Sequence, residues 1–205
     1  MKILCVSDLH GYPPELPPSD MVILAGDYCQ GRGKKEWYDT HFRAWLETLH
    51  REYRWVVGIA GNHDFGLQDE KFARSLPWVY LVDEFVEISG LRIYGSPYTP
   101  IFHDWAFNES EAELEKRWST IPEGLDILVT HGPPFGILDA TQNYEHVGSW
   151  ALRRKVQEVK PRYHVFGHIH ESKGVWTVGK TTHSNVAFVD EHYKPNCLPY
   201  LEFEI

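Results

Sequence analysis

Five apolar runs are each followed within a few residues by side chains of the metal-binding type, and this arrangement limits the chain to few folds. The runs are Ile3-Leu4-Cys5-Val6, Met21-Val22-Ile23-Leu24-Ala25, Trp55-Val56-Val57, Ile127-Leu128-Val129 and His164-Val165-Phe166. Their length and β-branched content are those of strands buried on both faces. The blocks after them are Asp8-Leu9-His10, Gly26-Asp27, Gly61-Asn62-His63-Asp64, Thr130-His131-Gly132 and Gly167-His168-Ile169-His170. Side chains at the C-terminal ends of neighbouring strands converge on one rim, where α/β sheets place their ligand sites. The spacing therefore predicts an α/β domain with a two-metal site.

In chain order the blocks read D-x-H, G-D, G-N-H-D, a single His, then G-H-x-H, which resembles the calcineurin-like metallophosphoesterase superfamily. The segments Tyr94-Gly95-Ser96-Pro97, Trp105-Ala106-Phe107-Asn108, Thr130-His131-Gly132-Pro133-Pro134 and His164 to Glu171 are similar to its metallophosphoesterase-domain-containing subfamily. The resemblance implies a four-layer α/β/β/α sandwich with a dinuclear metal site at the C-terminal ends of the strands. Residue by residue it implies Asp8, His10 and His170 on one metal, and Asn62, His131 and His168 on the other. It also implies that His63 binds no metal. That ring would point into the substrate cavity, oriented by Asp64, and stabilise the transition state or protonate the leaving oxygen, while Asn62 and His63 face the substrate. The activity implied is that of a phosphodiesterase on small substrates such as cyclic nucleotides or aryl phosphodiesters.

Chemistry explains the residue types independently. Two divalent cations about 3.5–4 Å apart polarise a phosphoryl oxygen and ionise a shared water to the attacking hydroxide. A carboxylate must bridge them, and Asp27 is the natural choice. Mixed N and O ligands suit manganese, with iron or zinc as alternatives, better than calcium or magnesium, which prefer oxygen shells. An imidazole titrates near neutral pH, so His63 is suited to acid catalysis. The ligands alone support a phosphomonoesterase equally well. A nuclease on the same fold and a non-catalytic metal-binding scaffold are the remaining alternatives. The other seven histidines read as surface or core residues, with His103 and His146 in loops that face the pocket.

The formal net charge of −9 argues against long nucleic acids as partners, because backbone phosphates are bound by Lys/Arg clusters. A small phosphate ester remains compatible, since two metals would make the site locally cationic. No linker, repeat or low-complexity run divides the 205 residues, so one domain spanning 1–205 is expected. Cys5, Cys29 and Cys197 are sparse and lack CxxC spacing, and the chain opens directly on a strand, which together predict a cytoplasmic protein. Cys29 reads as a small buried hydrophobe. No segment has the roughly 20 apolar residues of a membrane span.

Between the blocks, Trp37, Tyr38, Phe42, Trp45, Leu46 and Leu49 recur at helical spacing and predict one amphipathic helix over Glu36 to Glu52. Ser89-Gly90 between apolar alternations predicts a hairpin. Helices are expected over Glu109 to Ser119, capped by Asn108, and over Gly148 to Val159. Strands are expected near Val175 to Val178, Asn185 to Val189 and Tyr200 to Phe203. The loop from Ser96 to Asn108 carries Tyr98, Phe102, Trp105 and Phe107; Tyr98, after a Gly-Ser-Pro turn, is the expected stacking residue for a base or aryl group. The Arg32-Gly33-Lys34-Lys35 cluster reads as a solvated helix start.

Overall fold

The computed structural model describes residues 1–196 and 200–205, so Cys197 lies outside the described residues. In chain order the strands of the first half are β1 (Lys2–Val6), β2 (Met21–Leu24), β3 (Trp55–Gly58), β4 (Val79–Tyr80), β5 (Glu84–Ile88) and β6 (Leu91–Ser96). Those that follow are β7 (Thr99–Pro100), β8 (Asn108–Glu109), β9 (Ile127–Thr130), β10 (Tyr163–Phe166), β11 (Gly174–Val178), β12 (Thr181–Asn185) and β13 (Leu201–Glu204). The α-helices are α1 (Lys35–Trp37), α2 (Arg43–Glu52), α3 (Glu70–Ala73), α4 (Glu111–Trp118) and α5 (Trp150–Val159).

Two sheets stack. One has the order β13-β1-β2-β3-β4, the other β11-β12-β10-β9-β6-β5. Strands β1 to β4 run parallel, as do β6, β9, β10 and β12, and the antiparallel strands sit at sheet edges. Because successive strand side chains point to opposite faces, each apolar run feeds two cores. Ile3, Cys5, Met21, Ile23 and Val57 meet Ile93, Ile127, Val129 and Val165 between the sheets. Their alternates Leu4, Val6, Val22, Leu24 and Val56 pack outward under Phe42, Leu46 and Leu49 of the first helical layer. On the far side, Tyr94 and Leu128 lie beneath Leu114 and Trp118 of α4 and Leu152 and Val156 of α5. The order of layers is thus α/β/β/α. No described helix is long and apolar enough to cross a membrane.

Three local expectations are corrected. The helix over residues 36–52 is interrupted by a π turn at Tyr38–Phe42, which brings the Tyr38 hydroxyl onto the Asp64 carboxylate at 2.6 Å. Such turns recur beside functional sites. The cap of α4 is Ser110, whose hydroxyl accepts from the Glu113 N–H; Asn108 pairs in β7·β8 instead. The strand expected at Asn185 to Val189 ends at Asn185. The apolar run beyond it stitches the sheets together: the Val186 N–H donates to the Phe166 carbonyl, and the Ser7 and Phe188 amides donate to the Val186 and Ser7 carbonyls. Burial there comes from bridging two sheets rather than from lying within one.

Candidate metal centre

The C-terminal ends of β1, β2, β3, β9 and β10 deliver Asp8 and His10, Asp27, Asn62 and His63, His131, and His168 and His170 to one rim. Asp8, His10, Asp27, Asn62, His63, His131 and His170 are all buried. Four of these rim residues have left-handed backbone, Asp8 (φ 56), His10 (φ 42), Asp27 (φ 58) and His168 (φ 69). Such conformations cost of order 1–3 kcal/mol each and persist where function holds them, with Asp among the residues that tolerate them best. Close approach also explains two glycines. A Cβ on Gly61 would strike the Asp27 carboxylate, and one on Gly167 would strike that of Asp8.

Side-chain atoms gather in two groups. The Asp8 Oδ1 lies 3.3 Å from His170 Nε2 and 3.9 Å from His10 Nε2, and the two imidazole nitrogens are 3.2 Å apart. Asp27, His131 and His168 form the other group, with Asn62 Oδ1 2.9 Å from His131 Nε2. Asp27 stands between them, its Oδ2 at 3.3 Å from His131 Nε2, 3.8 Å from His10 Nε2 and 3.9 Å from His63 Nε2. Backbone carbonyls set the ring orientations. His131 Nδ1 donates to Ala25 O, His170 Nδ1 to Asp190 O and His63 Nδ1 to Gly31 O, so each turns Nε2 toward the centre. This outer-shell arrangement is typical of metal-ligating histidines.

Burial decides the charge states of His10 and His168: it pushes them down to about 4 and about 3, leaving neutral rings with free lone pairs. Burial is the largest influence on the two carboxyls and would raise both, but the hydrogen bond and charge of His170 with the charge of His131 together outweigh it at Asp8, held at about 2, and His131, His63 and His10 together outweigh it at Asp27, held well below the usual range. Burial opposes protonation of His131 as well, and the adjacent Asp27 overcomes it, raising His131 to about 9. Neutral imidazoles facing ionised carboxylates form a donor set with more lone pairs than protons, and divalent cations fit it.

Because His131 is protonated near neutral pH in the metal-free protein, metal uptake must expel that proton. Apparent metal affinity is expected to rise about ten-fold per pH unit for each proton displaced, flattening above about 9 where His131 is already neutral. Calorimetric titrations in buffers of different ionisation enthalpy would show the release. Uptake without proton release near neutral pH would remove His131 from the ligand set.

Two sequence-based roles are corrected. Asp64 does not orient His63. Its carboxylate accepts from the Asp27, Tyr28 and Gly61 amides and from Tyr38, bracing the loops that carry Asp27 and Asn62. Burial, then the Asp27 charge, pushes its carboxyl up to about 6, against the pull of the Tyr38, Gly61 and Tyr28 donors. The orienting partner of His63 is the Gly31 carbonyl, at 2.8 Å. Tyr98 lies outside the cleft, with Arg117 over its ring at 3.5 Å and Phe107 against its edge.

The aromatic wall belongs to Trp105, stacked on His63 at 4.2 Å and 25°, with Phe102 beside it in the cleft lining. Tyr193 lines the same cleft, edge-on to His10 at 4.8 Å and His170 at 5.2 Å. Glu171, Glu191 and Gln142 complete the rim of this 260 Å³ cleft. Trp105 was visible in the sequence as part of an aromatic loop, whereas Tyr193 had no local signal. His103 and His146 do not line the cleft; His146 pairs with Asp139 at 2.6 Å. Arg32 bonds Asp104 and lies over the Trp105 ring, while Lys35 opens α1 and pairs with Asp69. Cys29 is buried as expected.

Residues 1–172 match the calcineurin-like phosphoesterase family, and the chain belongs to it. The chain is therefore of the metal-dependent phosphoesterase class. It is 38% identical over 226 residues to human Metallophosphoesterase domain-containing protein 1, a match covering 95% of this chain and 68% of the human one, and equally so to the mouse protein. Among solved structures, Thermus thermophilus TT1561 superposes with a TM-score of 0.64 at 15% identity, over 90% of this chain and 88% of that one, a likeness of fold.

Proposed function

We propose that the protein is a two-metal phosphodiesterase for small substrates, cyclic nucleotides or aryl phosphodiesters. The central position of Asp27 carries this reading, since one carboxylate faces both donor groups. Asp8, His10 and His170 would hold one cation, and Asn62, His131 and His168 the second, with manganese the best suited and iron or zinc as alternatives. When bound, the cations supply positive charge to a phosphoryl oxygen and lower the pKa of water.

The protein's own groups do the rest. With Nδ1 committed to Gly31, His63 presents Nε2 to the cleft, where a protonated ring can give its proton to the leaving oxygen. Trp105 covers one face of that ring and keeps it from swinging. Trp105, Phe102 and Tyr193 give the cleft an aromatic lining on which a flat leaving group can pack. Glu171 and Glu191 on the rim favour a diester, which carries one negative charge, over a monoester, which carries about 1.5 to 2 near neutral pH. The same acidity and the overall charge of −9 disfavour long nucleic acids. Free, buried Cys5 and Cys29 suit a reducing compartment, so we place the protein in the cytoplasm.

With manganese, the protein is expected to hydrolyse bis-p-nitrophenyl phosphate faster than p-nitrophenyl phosphate, and chelation should stop both. The opposite preference would assign a phosphomonoesterase. Turnover confined to DNA or RNA ends would assign a nuclease, and no metal-dependent turnover on any ester would leave a scaffold.

A further inference from the structure

A second cavity, of about 300 Å³, opens where α5 packs beside the turn between β11 and β12. Arg153 and Gln157 line it from one face of α5, at i and i+4, Lys160 lines it from the helix's C-terminal cap, and Lys180 closes it from the turn. No carboxylate is among its lining residues, and none of the three cations forms an ion pair among the described residues. The Nη1 of Arg153 is buried with no hydrogen-bond acceptor among the described residues. A partly buried guanidinium without a counter-charge is costly, and an anion in the cavity that its side chain lines would offset that charge. This positive cluster sits in a chain of net charge −9 and lies outside the metal cleft.

We propose that this cavity is a binding site for a phosphate group carried by a small molecule. Arg153 offers a planar fork matched to an oxyanion, and Lys160 and Lys180 add two mobile ammonium charges. Ile137, Val156 and Val178 provide an apolar wall for the body of an organic phosphate. His183 also lines the cavity, and its Nδ1 lies 3.2 Å from His164 Nδ1, whose Nε2 lies 2.9 Å from the Thr130 hydroxyl, one residue before His131. A buried polar chain therefore joins the cavity to the strand end that presents His131. The inference does not depend on which ester the cleft cleaves.

Inorganic phosphate and phenyl phosphate, titrated separately into the metal-loaded protein by calorimetry, are each expected to fill two sites per chain, the cleft and this cavity. Arg153→Gln and, as a variant at an exposed position, Lys160→Gln should each weaken the second site, by about 10-fold or more for the arginine. The inhibition constant of phosphate at the cleft should stay within about two-fold, since neither residue lines it. Tungstate located beside Arg153 in a crystal would agree. Tighter second-site binding of phenyl phosphate would assign an organic phosphate, and equal binding would assign free phosphate. A single phosphate site in the wild type, or two undiminished sites in Arg153→Gln, would overturn the proposal.

Discussion

Asp27→Asn is expected to lose most of its bound metal and all measurable turnover while remaining folded. The substitution is nearly isosteric, and its amide oxygen can still accept the His63 N–H that Asp27 Oδ1 now accepts at 2.8 Å. What disappears is the charge at Oδ2, the atom facing His131, His10 and His63 at once. Both donor groups then weaken together. Removing an outer-shell partner typically costs 10–100-fold in metal affinity, so loss of a shared ligand should exceed about 100-fold. Metal analysis after dialysis, thermal melts and turnover on bis-p-nitrophenyl phosphate would check the three parts. Full metal occupancy with wild-type turnover would show that Asp27 bridges nothing.

His63→Ala should keep its metal and most of its stability and lower kcat by roughly 10²–10⁴, the range of a positioned acid or base. The imidazole contacts the Trp105 ring on one face and the Gly31 carbonyl at its edge, so truncation leaves a hole at the cleft and spares the buried core. The leaving group separates two roles. A p-nitrophenolate departs with little need of a proton, whereas an alkoxide from a cyclic nucleotide needs one, so proton donation predicts the larger loss on the cyclic nucleotide. Equal losses on both would point to charge stabilisation of the phosphoryl group. Loss of metal in this variant would instead place His63 among the ligands, a grouping with His10 and Asp27 that its geometry permits.

The rim residues were legible in the sequence because each follows a strand run by a short step. A buried parallel strand must be apolar throughout its length, and the first polar residues beyond it fall at the sheet's C-terminal edge. Asp8, His10, Asp27, Asn62, His131, His168 and His170 needed no more than that to be gathered, and the alternation within each strand likewise made the layered core readable. The amphipathic helix over residues 36–52 was readable from its period, but its π turn was not, because that turn answers to Asp64 across the site.

Local sequence assigned Asp64 to His63 by adjacency alone, but adjacent side chains leave the backbone in different directions, and three donors from other segments, Asp27, Tyr28 and Tyr38, with the Gly61 amide of its own loop, hold the Asp64 carboxylate away. The orienting group, a carbonyl at Gly31, carries no side-chain signature at all. Tyr98 and Trp105 sit in one aromatic loop with similar chemistry, and which of them faces the cleft depends on Arg117 capturing the first and His63 the second. Tyr193 reaches His10 across 183 residues, and the cations around Arg153 surround a space that exists only once α5 lies beside the β11–β12 turn. The sequence by itself determined which side chains stand at the strand ends, because burial of a strand is a local demand. Only the tertiary structure decided which loop atoms face them, because loop direction is set by hydrogen bonds and ring contacts made between distant segments.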